Sequence, residues 1–207
     1  EIQEILAKDF DGNKHVKTEM ENCPKFGNDD DYADSIAVEL HEFICNTVAD
    51  MAPEIGLDSW LVVVINNQVN TEWGRATSSS PDGRIAGLYM SNANNPQSGA
   101  DVNGPTAMLN SLAKIRADIH AGSVQNIKFS KEMFNGEREK INILLKTYFE
   151  KGGPQIMINV VGKDELIKAY NNPDAYKNLT VRVGGFSARF VNLEDDVQRE
   201  IMARTCN

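Results

Sequence analysis

Val181-Arg182-Val183-Gly184-Gly185-Phe186-Ser187-Ala188-Arg189-Phe190 stands close to the carboxyl end of the 207-residue chain. Its opening residues are β-branched and short in run, which predicts a strand over residues 180–183. The Gly-Gly pair reads as a turn, because glycine takes turn dihedrals at no steric cost. A last helix is expected over residues 194–204, with Leu193, Val197, Ile201 and Met202 packing so as to anchor the turn. Upstream, residues 155–161 read as a strand and residues 164–170 as a short helix capped by Asp164 and stopped by Pro173. Gly152-Gly153-Pro154 punctuates the chain before them. It is the best candidate for a domain boundary, dividing the chain into residues 1–152 and 153–207.

Towards the amino end, Asp29-Asp30-Asp31 precede residues 32–51, where Ile36, Leu40, Phe43, Ile44, Val48 and Met51 recur at helical spacing. That pattern predicts an amphipathic helix with an acidic N-terminus, ended by Pro53. Residues 60–65, Trp-Leu-Val-Val-Val-Ile, read as a strand buried on both faces. Residues 71–105 are dense in Gly, Ser, Asn, Asp and Pro, and a loop of that length usually has a function. A helix over 106–117, a strand over 126–129 and a helix over 137–150 complete a mixed α/β order.

Composition narrows the function classes. Apolar residues are 41% and charged residues 25% of the chain, as in an ordinary globular protein. A formal charge of −9 speaks against a nucleic-acid partner, since backbone binding needs clustered cations. No apolar run reaches the length of a membrane span. The chain opens on Glu1 without a signal-peptide pattern, so it is expected to begin within a longer protein. Cys23, Cys45 and Cys206 are odd in number and widely spaced, which predicts free thiols in a reducing, cytoplasmic setting, with no disulfide framework and no zinc site. Cys45 reads as a small core residue. His15, His41 and His120 form no metal cluster, and His41 reads as a boundary residue.

The segment Arg182-Val183-Gly184-Gly185-Phe186, with Arg189-Phe190, Leu193, Gln198, Ile201 and Arg204-Thr205 after it, resembles the signature of the glycyl radical enzymes. That family includes pyruvate formate-lyase, glycerol and choline lyases and arylacetate decarboxylases. The resemblance continues upstream in the family's order: Cys23-Pro24-Lys25-Phe26-Gly27-Asn28-Asp29-Asp30-Asp31, Gly74-Arg75-Ala76-Thr77, Ser80-Pro81-Asp82-Gly83-Arg84, and Gly104-Pro105-Thr106-Ala107 with Ser111. Phe186 stands where tyrosine is commoner.

The resemblance implies an α/β fold, the C-terminal part of a large β/α barrel, with residues 153–207 as a glycyl radical domain. Gly185 would hold the radical, supported by Arg182, Val183, Gly184 and Phe186; with or without a radical, Arg182 could be an ion-paired strand residue. Glycine suits the task because a Cα without a side chain can flatten and share spin with its own amide and carbonyl. Trp60 and Asn66 could touch substrate, although core packing is the commoner role for such residues. The cofactor would be the protein-derived radical, installed by an S-adenosylmethionine-dependent iron–sulfur activating enzyme. Family members pass the radical to a cysteine in a Gly-Cys-x-Glu motif, which this chain lacks. Its partners would therefore be the N-terminal part of the same enzyme, the activating enzyme and a small-molecule substrate, and a homodimer of the full enzyme is compatible with this. Two alternatives stay open: a free-standing radical carrier that repairs a damaged enzyme, and an inactive fragment.

Overall fold

A computed structural model describes residues 1–66 and 68–206. The acidic run organises the amino-terminal half. Two short helices, α1 (Ile2–Ala7) and α2 (Lys14–Asn22), lead to Asp30, whose carboxylate caps α3 (Asp31–Met51) by accepting from the Tyr32 and Ala33 amides. Asp34 is fully buried, and its carboxylate accepts from the Ser111 hydroxyl at 2.9 Å and Lys114 Nζ at 2.7 Å, which ties α3 to the later helix α5 (Gly104–Lys114). Burial opposes the charge on Lys114, but the carboxylates of Asp31, Asp34 and Asp29 outweigh it and raise its pKa.

The predicted apolar stripe of α3 does not face the core. Ile36, Leu40, Phe43, Ile44 and Met51 are exposed, Phe43 by 68%, while the packed face carries Asp34, Ala37, His41 and Cys45. Small and polar residues let α3 lie close to α5, and the large apolar residues are left pointing outward. Residues 60–65 depart from expectation in the same way. Only β1 (Val63–Val64) is a strand, and Trp60, Leu61, Val63 and Ile65 are exposed rather than buried on both faces.

The long loop expected over residues 71–105 is shorter, residues 76–103, because α4 (Val69–Arg75) takes its start and α5 its end. Gly74 belongs to its packing, because a Cβ there would collide with the backbone of Leu88 and Tyr89. Arg84 is buried and donates to the Leu88 carbonyl at 2.9 Å, the Ile85 carbonyl at 3.2 Å and the Ser80 hydroxyl at 3.1 Å, so one guanidinium folds the loop around itself. Asn28 closes the far end by accepting from the Val102 and Asn103 amides and donating to the Ala100 carbonyl.

Among the described residues the strands pair two by two. β1 runs parallel to β2 (Gly122–Ser123), and β3 (Asn126–Phe129) parallel to β4 (Met157–Val160) across the helices α6 (Lys131–Gly136) and α7 (Arg138–Glu150). β5 (Thr180–Arg182) pairs antiparallel with β6 (Ser187–Arg189), a strand the sequence reading did not separate from the turn. Between β4 and β5 lies α8 (Lys163–Asn171), capped by Gly162 with no side-chain bond; Asp164 sits inside its first turn and is not the cap. The chain closes with α9 (Asp195–Ala203).

Two apolar clusters result. Met108, Leu109, Leu112, Ile127, Phe129, Ile141 and Tyr148 gather around β3, whereas Val161, Leu166, Ala169, Val181, Val183, Phe190, Val197 and Ile201 gather around the hairpin. The second cluster is contributed wholly by residues after β4, so the hairpin stands on a core of its own. No helix among the described residues is long and apolar enough to cross a membrane.

Candidate functional site

The hairpin is built from the inside out. Val181 and Val183 point into the second cluster, each 1% exposed, and fix one strand face. Arg182 pairs with Ser187 and Val181 with Ala188, and the Val183 amide donates to the Phe186 carbonyl at 2.9 Å, which leaves Gly184-Gly185 as a two-residue loop. Gly184 is buried, but Gly185 is exposed and adopts φ 109°, a conformation that disfavours any side chain. Phe186 follows on the outside, 39% exposed, so its ring is only partly covered within this chain. An ion pair of Arg182 is absent among the described residues; its guanidinium donates to the Ser187 hydroxyl at 3.1 Å across the hairpin.

The strand entering the turn is held from two sides. Asn159 on β4 accepts from the Arg182 amide at 2.7 Å and donates to the Arg182 carbonyl at 3.0 Å, so a side-chain amide takes the place of a neighbouring strand. Arg204, just past α9, donates to the carbonyls of Arg182 at 3.2 Å and Val183 at 2.8 Å. The Arg204 guanidinium is locked by two-point contact with Glu200, at 2.9 and 2.7 Å, and Glu200 in turn accepts from Ser98 of the long loop at 2.9 Å. Sequence reading placed Arg204 in the motif but gave it no role, since nothing local shows which carbonyls it would meet.

Behind this lies a small polar cavity of about 20 Å³, bordered by Asn126, Lys128, Asp101, Glu200 and Arg204. Lys128 is almost wholly buried and donates to the Ile201 and Met202 carbonyls at 3.3 and 3.4 Å, capping the end of α9. Burial, reinforced by Arg204 and Lys163 and opposed by Cys206 and Glu200, lowers its pKa from 10.5 to about 8. With the folded value below the unfolded one, the unfolded chain binds more protons above pH 8, so stability rises with pH there. Between pH 7 and pH 9 the gain should be about 1 kcal/mol. Denaturant midpoints should show this rise in the native sequence and not in Lys128→Met; a parallel rise in both would remove Lys128 as its source.

The other sequence candidates lie elsewhere. The Trp60 ring is 42% exposed, and Asn66 donates to the Ser91 carbonyl at 3.1 Å while its buried Oδ1 has no partner among the described residues. No described contact joins either to the hairpin. Cys45 is buried as expected, with burial raising its pKa, Cys23 is exposed, and Cys206 lies beside β3 through a bridge to Lys128. His41 stacks edge-on against His120 at 5.2 Å.

Comparison with known proteins places the chain among similar sequences and structures. The glycine radical family matches residues 90–191, and the pyruvate formate lyase-like family matches residues 1–56. Isethionate sulfite-lyase of Oleidesulfovibrio alaskensis is 33% identical over 99% of the chain and 25% of its own length. Trans-4-hydroxy-L-proline dehydratase of Clostridioides difficile is 35% identical, over 99% and 26% respectively. Among solved structures, the glycerol-bound B12-independent glycerol dehydratase of Clostridium butyricum superposes with a TM-score of 0.91 at 33% identity, over 100% of this chain and 26% of its own. The chain thus spans about a quarter of the length of the curated relatives it matches.

Proposed function

The chain belongs to the glycyl radical enzymes, and from that premise we propose that it is the C-terminal portion of a radical lyase, dehydratase or decarboxylase in which Gly185 stores the radical. One observation carries the reading. At the tip of a buried-footed hairpin, of the two residues with no side chain, Gly185 is the exposed one, at φ 109°, between a buried Gly184 and an outward Phe186. An α-carbon so placed can be reached from outside the chain, and can be enclosed only by something outside it.

The chemistry moves hydrogen atoms rather than protons. An S-adenosylmethionine-dependent activating enzyme with an iron–sulfur cluster would supply the hydrogen-atom acceptor, a fragment cleaved from S-adenosylmethionine; one hydrogen atom of Gly185 Cα would pass to it, the C–H bond breaking homolytically and one electron staying on the carbon. In turnover that carbon takes a hydrogen atom from the S–H of a cysteine outside this chain, the C–H bond re-forms, and the sulfur-centred radical acts on a small-molecule substrate. Val183 and Gly184 support the turn from within, Arg182 closes the hairpin through Ser187, and Phe186 presents its ring to whatever encloses Gly185. Trp60 and the Oδ1 of Asn66, which has no partner among the described residues, are the substrate-side candidates.

In this reading the first 152 residues contribute to a β/α barrel completed by the rest of the enzyme, and residues 153–207 form the radical unit. The apolar cluster around the hairpin, drawn from residues after β4, supports a separate radical unit, while β4 itself pairs with β3 of the first part; the outward stripe of α3 favours a part of a larger protein over a free-standing carrier. An anaerobic setting follows from the oxygen sensitivity of a carbon radical, and the free thiols of Cys23, Cys45 and Cys206 suit a reducing cytoplasm. The test is spin resonance of the anaerobic protein after treatment with its activating enzyme. One remaining α-proton on Gly185 should split the signal into a doublet, and growth on α-deuterated glycine should collapse it. A signal without that isotope response would mean the radical is not on glycine.

A further inference from the structure

The hairpin is held unequally on its two sides. Leading into the turn, β5 takes side-chain hydrogen bonds from Asn159 and Arg204 on the backbone of Arg182 and Val183. Leading out, β6 is attached through its pairing with β5 and, beyond it, through the Phe190 amide on the Leu179 carbonyl at 2.8 Å. The Val183 carbonyl is two residues before Gly185, and whatever fixes it fixes the starting point of the turn.

Arg204 suits that task for a geometric reason. Its planar fork uses Nη1 and Nη2 on two successive carbonyls while Nε and Nη2 grip both oxygens of Glu200. Glu200 is 1% exposed and the Arg204 side chain 10%, so the pair works out of water, and the Ser98 hydroxyl restrains the carboxylate from the far side. A lysine could keep the charge beside Glu200, but one nitrogen cannot span two carbonyls and two carboxylate oxygens in a single plane.

We propose that Arg204, oriented by Glu200, is a positioning residue for the radical: it sets where the Gly185 α-carbon sits by fixing the Arg182 and Val183 carbonyls. The proposal rests on Gly185 as the radical carrier, but its structural half does not. Hydrogen exchange reads the clamp before any radical exists, and spin resonance reads its effect afterwards.

Both are measured on the complete polypeptide that carries these residues, native and Arg204→Lys. Losing one or two such hydrogen bonds corresponds to about a tenfold change in local opening. The Val183 amide should therefore exchange about tenfold faster in the lysine variant, with α8 and α9 amides unchanged, and the doublet should decay about tenfold faster. Native exchange and native lifetime in the lysine variant would overturn the proposal, since charge alone would then suffice. If lysine also loosened α9, Ser98→Ala decides, because it removes one of the hydrogen bonds on Glu200 Oε1 without touching the guanidinium that still holds it. A Val183 exchange faster by about two- to threefold upholds the clamp, and an unchanged rate overturns it. A native protein with a protected Val183 amide that never gives a doublet would count against the Gly185 reading alone.

Discussion

Replacing Gly185 with alanine is expected to remove the radical signal completely while leaving the chain folded. Two physical effects separate here. The first is conformational: at φ 109° an added Cβ is strained by about 1–3 kcal/mol, which the hairpin can absorb by a local shift because its foot is anchored elsewhere. Val181, Val183, Phe190, Val197 and Ile201 keep their burial, so the cluster beneath should survive. The second is electronic. A carbon radical here is stabilised when the α-carbon lies flat between its amide nitrogen and its carbonyl, and a methyl group clashes with both neighbours in that plane. Loss of signal should therefore be total, whereas loss of stability should stay within the strain estimate. Circular dichroism and a denaturant midpoint measure the fold, and spin resonance after activation measures the radical. A doublet of native intensity in Gly185→Ala would place the radical on another glycine and sink the assignment.

How far the sequence reveals this arrangement depends on the range of the interaction involved. The Gly184-Gly185 turn is legible because turn chemistry is local: β-branched residues run into two glycines, and the only surprise is that Ser187–Arg189 pairs back as a strand. The acidic N-terminus and the start of α3 are legible for the same reason. The direction in which α3 faces is not. Its stripe of Ile36, Leu40, Phe43 and Ile44 has the spacing of a core face, and periodicity cannot say which body supplies the core. Residues 60–65 fail likewise, since β-branched composition signals a buried strand and the burying partner is not among the described residues. Arg204 is hidden for a third reason. Its partners Arg182 and Val183 are 22 and 21 positions away in sequence, and only the folding of α9 against the hairpin brings them together.

The outward stripe leads to the other large effect, one that depends on context. With these 207 residues produced alone, Leu40→Glu with Phe43→Glu should leave stability almost unchanged, because exposed substitutions move it by about 0.5 kcal/mol or less. The native chain alone should self-associate and bind an apolar dye, since monomeric proteins rarely leave apolar patches beyond a few hundred Å² uncovered, and the double variant should do much less of both. In the complete enzyme the same pair should be severe: two charges would be buried against the rest of the barrel without partners, at a cost of several kcal/mol each. Sedimentation of the lone chain and thermal unfolding of the complete enzyme give the two halves of the comparison. A lone chain that stays monomeric and does not bind the dye would favour a free-standing radical carrier. A complete enzyme indifferent to the two glutamates would mean that the stripe faces solvent in the working protein. In that case Gly185, exposed at the tip of its hairpin, would have to be enclosed by a body that leaves α3 uncovered, and the barrel reading of the first 152 residues would fail with it.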